Sequence, residues 1–104
     1  MIKKESVYAL LKQIPRGRVT TYKVLATILK TKGYRAIGQI VKRNPFAPVV
    51  PCHRVVGSDG LLGGYMGHSS GSFIQKKKDI LLQEGVHCDG NKIRDFKKVF
   101  TDLK

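Results

Sequence analysis

A mainly α fold is predicted for this sequence: one small domain built around a helix-turn-helix, winged-helix-like in character, with a long extended loop set into it. Three observations carry the prediction. The chain has 104 residues, near the common size of one domain and too few for two substantial cores, so residues 1–104 are read as a single unit. Apolar residues recur at helical spacing in three successive segments before Asn44 and again after Ser72. Between Pro45 and Gly71 that period gives way to prolines, glycines and a short β-branched run.

The elements follow in order. Val7, Leu10, Leu11 and Ile14 lie on one helical face, and Pro15 followed by "PRGR" ends it. In "TTYKVLATILKTKG", Thr20 or Thr21 offers an N-cap, Tyr22, Leu25, Ala26 and Leu29 an inward face, and Gly33 a stop. "YRAIGQIVKRNP" repeats the pattern with Ile37, Ile40 and Val41, and Asn44–Pro45 closes it. Two short helices joined by a Gly-containing turn and preceded by a packing helix match a helix-turn-helix, whose second helix approaches DNA; any small helical bundle would share the pattern. "NPFAPVVPCHRVVGSDGLLGGYMGHSSG" reads as extended chain and loops, where binding sites tend to lie. A further helix begins near Ser72, runs through Phe73, Ile74, Lys77, Ile80, Leu81 and Leu82, and closes at Gly85. The tail offers another, with Ile93, Phe96, Val99 and Phe100 on one side.

Charge narrows the function classes. Twenty Lys and Arg against seven Asp and Glu give +13, while 41% hydrophobic residues place that charge on a folded body. Such an excess points to a polyanionic partner, nucleic acid first and an anionic membrane surface second. No apolar run approaches the roughly 20 residues of a spanning helix. Lys12 and Gln13 interrupt the apolar stretch of the N-terminus, which lacks a signal-peptide cleavage pattern, so the chain reads as intracellular and cytoplasmic. In the helix over "YRAIGQIVKR", Arg35, Lys42 and Arg43 supply cations, and Ala36 and Gly38 are small enough to let a backbone approach a groove; a solvated basic helix would look the same.

The candidate chemistry lies in "VVPCHRVVGSDG". Cys52 follows Pro51, which restricts the backbone, and precedes His53, an imidazole able to help produce a reactive thiolate. In an extended strand neighbouring side chains point to opposite faces, so contact between the two needs a turn or a bridging water. A buried cysteine beside a hydrogen-bonded histidine is the plainer alternative. Zinc is disfavoured, because adjacent residues such as Cys52–His53 or His87–Cys88 cannot easily both reach one tetrahedral ion; the second pair suits an ordinary surface turn, and His68 carries no signal. No metal and no cofactor are expected. The two cysteines are expected as free thiols. Glu84 sits at a helix C-terminus, where the dipole disfavours its charge; folded against His53, it would complete a nucleophile, base and orienter chain.

"GRVTTYKVLA", "RAIGQIVKRNP", "PVVPCHRVVGSDGLLGGY" and "LLQEG" resemble, in order and spacing, the motifs of the O6-alkylguanine-DNA alkyltransferases, also called methylated-DNA-protein-cysteine methyltransferases. The likeness runs from the first helix to about Gly85 and implies the family's catalytic, C-terminal DNA-binding domain standing alone. It implies that Cys52 takes the alkyl group from O6 of guanine in double-stranded DNA in one irreversible transfer, as a monomer. His53 would deprotonate Cys52 through a water, Glu84 would hold His53, Asn44 would support the loop, and the Tyr22 hydroxyl would donate toward the leaving base. Arg35 would enter the duplex in place of the flipped nucleotide, with the helix in the minor groove. Ala36, Gly38, Val41, Lys42, Arg43 and Arg54 complete the expected DNA-binding set. The resemblance builds the substrate pocket from Tyr22, Cys52, Val55, Tyr65 and Met66: carbonyls of Cys52 and Val55 would meet the guanine amino group, and the N–H of Met66 would meet O6. The sequence departs from the family in four places. The catalytic part is expected without the family's additional N-terminal domain, Met66 stands where serine is frequent, "GHSSGSF" is longer than usual, and Val41 replaces a bulkier residue.

Two other functions compete. An alkyltransferase-like protein binds lesions without transfer, but such proteins replace the cysteine that this chain keeps. A helix-turn-helix regulator would read sequence and have no use for the pocket residues.

Overall fold

The computed structural model describes residues 3–47, 49–65 and 71–103. Helix α1 (Lys4–Gln13) turns Val7, Leu10 and Leu11 inward, as the period predicts, and Ile14 beyond it joins the same core. A two-residue strand β1 (Thr20–Thr21) leads directly into α2 (Tyr22–Ile28). Thr21 caps that helix, its hydroxyl accepting from the Val24 N–H at 3.2 Å.

The turn between α2 and the next helix corrects one expectation. Gly33 does not stop α2. The chain leaves the helix at Lys30, in the left-handed region at φ 56°, where the N–H of Thr31 returns to Ala26 O and that of Lys30 to Thr27 O, the bond pattern of a Schellman cap. Gly33 instead occupies the cap position that opens α3 (Tyr34–Lys42). Helix α3 packs on both α1 and α2, completing a three-helix, helix-turn-helix-like unit with Ile37 and Val41 in its core.

The loop from Pro45 is less extended than its composition suggests. Residues Cys52–Arg54 form a single 3₁₀ turn, followed by β2 (Val55–Val56), which pairs in parallel with β1, Thr20 opposite Val55. Helix α4 (Ser72–Gln83) ends at a second Schellman cap, with Gly85 at φ 87° and the Val86 N–H reaching Leu81 O.

The tail is also corrected. In place of a long helix it forms a hairpin, β3 (Cys88–Asp89) against β4 (Lys92–Ile93), and only one helical turn, α5 (Phe96–Val99). The Gly90-Asn91 pair wins locally: Gly90 takes φ 61° at the first position of a two-residue loop, the chemistry of a tight hairpin. Cys88 thus sits half-buried in a strand rather than on a surface turn. After α5 the chain lies along β1, exchanging backbone bonds Val19 N–H to Val99 O and Thr101 N–H to Val19 O, both at 2.8 Å.

Candidate active site and nucleic-acid interface

Pro51 sets the site's backbone. Its φ of −82° and ψ of 70°, with the Cys52 N–H returning to Val50 O at 2.8 Å, make an inverse γ-turn. The 3₁₀ turn follows immediately, so Cys52, His53 and Arg54 fan out at three residues per turn instead of alternating across a strand. All three can therefore serve one site. Asn44, fully buried, locks the approach: its Nδ2 donates to Val50 O at 2.7 Å and its Oδ1 accepts from the Phe46 N–H at 3.0 Å.

Glu84 reaches this turn from the end of α4. Both its carboxylate oxygens lie 3.1 Å from Nε2 of His53. A carboxylate only accepts, so Nε2 carries the hydrogen and Nδ1 is left with a free lone pair. Nδ1 is buried and has no hydrogen-bond partner among the described residues. The same carboxylate takes a two-pronged bond from Arg54, Nε to Oε1 at 2.9 Å and Nη2 to Oε2 at 2.6 Å, while Nη1 donates to Ile14 O at 2.8 Å. Glu84, a misfit at its helix end in the sequence, is thus compensated by a cation of another element. Arg54, expected to face DNA, is instead spent inside the site.

The electrostatics describe a neutral pair at rest. Burial pushes the Cys52 thiol above its ordinary value, opposed by the Asn44 amide, by Lys77 and by the residue's own backbone bond. Burial lowers His53, opposed by Glu84. Burial also pushes Glu84 upward, but its bonds to Arg54 and His53 prevail and hold it below the usual carboxylate range. Tyr22 and Tyr65 are both raised, by burial and then by proximity to Cys52, so each phenol is protonated and able to donate at neutral pH. The carbonyls of Val55 and Cys52 already accept from Lys77 and from the Val55 N–H; each keeps a second lone pair.

Sequence reasoning missed Lys77. Its signal was a lysine on the apolar stripe of α4 between Ile74 and Leu81, all three of them buried.

On α3, Arg35, Ala36, Lys42 and Arg43 are exposed. A Cβ added at Gly38 would meet nothing within 4 Å, so no packing inside the molecule demands glycine there. Val41 is corrected: at 5% exposure it belongs to the core and cannot face DNA, because positions 37 and 41 share the inward side of the helix. Met66 and His68 lie outside the described residues. Among the described residues, no helix is long and apolar enough to cross a membrane.

A family model described as the DNA-binding domain of 6-O-methylguanine DNA methyltransferase matches residues 3–86. The chain belongs to this family. Among curated relatives, a methylated-DNA–protein-cysteine methyltransferase of Pyrobaculum aerophilum is 48% identical over 75 residues, covering 72% of this chain and 47% of that protein. One from Thermococcus kodakarensis is 52% identical over 77 residues, covering 74% and 40%. The chain thus spans less than half the length of these 6-O-methylguanine DNA methyltransferase relatives. In three dimensions it is similar to the O6-methylguanine-DNA methyltransferase of Pyrococcus kodakaraensis, with a TM-score of 0.68 and 46% identity, over 80% of this chain and 46% of that one. It is also similar to S. pombe Atl1, solved with damaged DNA containing O6-carboxymethylguanine: TM-score 0.76, 26% identity, over 97% and 98% of the two chains.

Proposed function

We propose that this protein repairs double-stranded DNA by transferring the alkyl group from O6 of guanine irreversibly to Cys52. On this reading residues 3–86 are the family's catalytic as well as DNA-binding domain, acting as a monomer in the cytoplasm. The observation that carries it is the order Glu84, His53 Nε2–H, His53 Nδ1 with its free lone pair, in the same 3₁₀ turn as the buried thiol of Cys52. The names of the curated relatives support the same reaction.

The step balances as follows. The Cys52 proton passes to Nδ1 of His53, through a bridging water, and Glu84 stabilises the imidazolium. Sulfur attacks the alkyl carbon, the S–C bond forms, and the C–O6 bond breaks with its electron pair staying on guanine. Tyr22 gives its hydroxyl proton to the ring, and the imidazolium returns a proton to the tyrosinate through solvent. The products are a thioether and guanine, all neutral, with the thiol's proton now on the base. Because O6 of a paired guanine faces the helix interior, the nucleotide must first be flipped, at a cost of a few kcal/mol. Arg35 fills the space it leaves, and the exposed Ala36 and open Gly38 let α3 sit close against the minor groove. Tyr65 and the Val55 carbonyl line the pocket.

The likeness to S. pombe Atl1 over nearly the whole of both chains favours, as a second reading, a lesion binder that performs no transfer. Intact mass after incubation with a duplex containing O6-methylguanine separates the two. The expected result is a stoichiometric gain of one methyl group on Cys52, lost in Cys52→Ser. Tight binding without a mass change would establish the second reading in its place.

A further inference from the structure

We propose that Lys77 is a positioning residue for Cys52: its ammonium, clamped beneath the active-site turn by three main-chain carbonyls, stabilises the thiolate and ties together the two walls of the pocket. The inference rests on Cys52 being the nucleophile.

Lys77 is fully buried. Its Nζ donates to Val55 O at 3.0 Å, Leu62 O at 2.6 Å and Gly64 O at 2.9 Å. A neutral amine has only two N–H groups, so three bonds fit the ammonium, whose donors they exhaust. Val55 follows directly on the Cys52–Arg54 turn, and Leu62 and Gly64 lead to Tyr65. One side chain therefore fixes both segments that flank the thiol.

The arrangement is costly. A buried cation held only by neutral dipoles is poorly compensated, and burial pulls Lys77 down to about 8. The acid nearest to hand in the site, Glu84, is already shared between His53 and Arg54. A methionine would fill the same volume without a charge, so the lysine goes against what packing alone would select, as functional residues often do. The groups that gain negative charge in its field are Cys52 and Cys88, and only Cys52 lies in the site. Tyr22 and Tyr65 also lie in the field of Cys52, and His53 follows it in the same turn. Lys77 opposes charging of His53, but the imidazolium has Glu84 as its own counter-ion. Among the described residues the thiolate is favoured by the Asn44 amide, by Lys77 and by the residue's own backbone bond, and of these only Lys77 carries a charge.

The test uses the folded, full chain and no alkylguanine, so its failure is distinct from failure of the transfer reaction. Iodoacetamide modification of Cys52, followed by peptide mass, is measured against pH in the wild type and Lys77→Met. The variant is expected to need about one pH unit more alkali to reach the same rate, and so to react about tenfold more slowly near neutrality. Loss of thermal stability with an unchanged profile would reduce Lys77 to a structural clamp and overturn the proposal. Should the variant not fold, the Lys77 ammonium is titrated by nitrogen NMR in the wild type and Cys52→Ser. It is expected to lose its proton at lower pH once the sulfur is gone, and identical titrations would overturn the coupling.

Discussion

Cys52 and His53 sit side by side as thiol and imidazole, not as an ion pair, because burial penalises the charge on both. Burial lowers His53 from its ordinary 6.5, so the imidazole proposed as the base is uncharged at neutral pH. The acid limb of the transfer rate, measured with free O6-methylguanine base, is therefore expected below pH 6.5. In Glu84→Gln the limb should move further to the acid side, since Glu84 raises His53, and the plateau should fall about 10²-fold. That variant also strands the Arg54 guanidinium and should cost about 3 kcal/mol of stability. A limb at or above 6.5, or one unmoved by Glu84→Gln, would remove His53 as the base. The same shift makes the fold acid-sensitive. Below 6.5 the unfolded chain binds a proton that the folded chain refuses, so stability falls with pH until the lowered folded value is passed.

At the level of elements, α3 separates packing from contact. Gly38 weakens its own helix and fills no tight space, so Gly38→Ala should raise stability by about 0.5–1 kcal/mol. If the backbone there approaches a groove, the same substitution should weaken duplex binding, and opposite signs in a melting curve and a binding isotherm are the expected outcome. Gains in both would place α3 away from DNA. Helices were readable in the sequence wherever an apolar stripe met a stop of ordinary chemistry, as in α1 at Pro15 and α4 at Gly85. They were misread where the stop was unusual: Lys30 in the left-handed region hid the end of α2, and Gly33 drew the boundary to itself. The Glu84–His53 contact could be anticipated because a charge at the wrong helix end requires a partner. The burial of Lys77 was marked by its place on the apolar stripe of α4, but its partners could not be named, because main-chain oxygens leave no mark in a sequence. Val41 carries two expectations, an inward one from the helical period it shares with Ile37 and a DNA contact from the family resemblance, and its burial agrees with the first.

For the whole molecule, the +13 charge is a statement about counterions. Arg35, Lys42 and Arg43 all lie exposed on or at the end of α3. Duplex affinity should therefore fall with salt with a log–log slope of about −3 or steeper, and Lys42→Ala or Arg43→Ala should each flatten it by about 1. A slope near zero would show that the basic surface is not the DNA footprint. Charge of this size also repels itself, which makes the ties between distant parts of the chain matter. The strand that presents Tyr22 is held from behind by residues 99–101, and the Thr20 hydroxyl donates to Thr101 O across 81 positions. A contact of that sequence separation carries nearly the full loop-closure entropy of the chain. Assembly should accordingly finish there, with the helices formed early and residues 99–101 seated last against Val19 and Thr20.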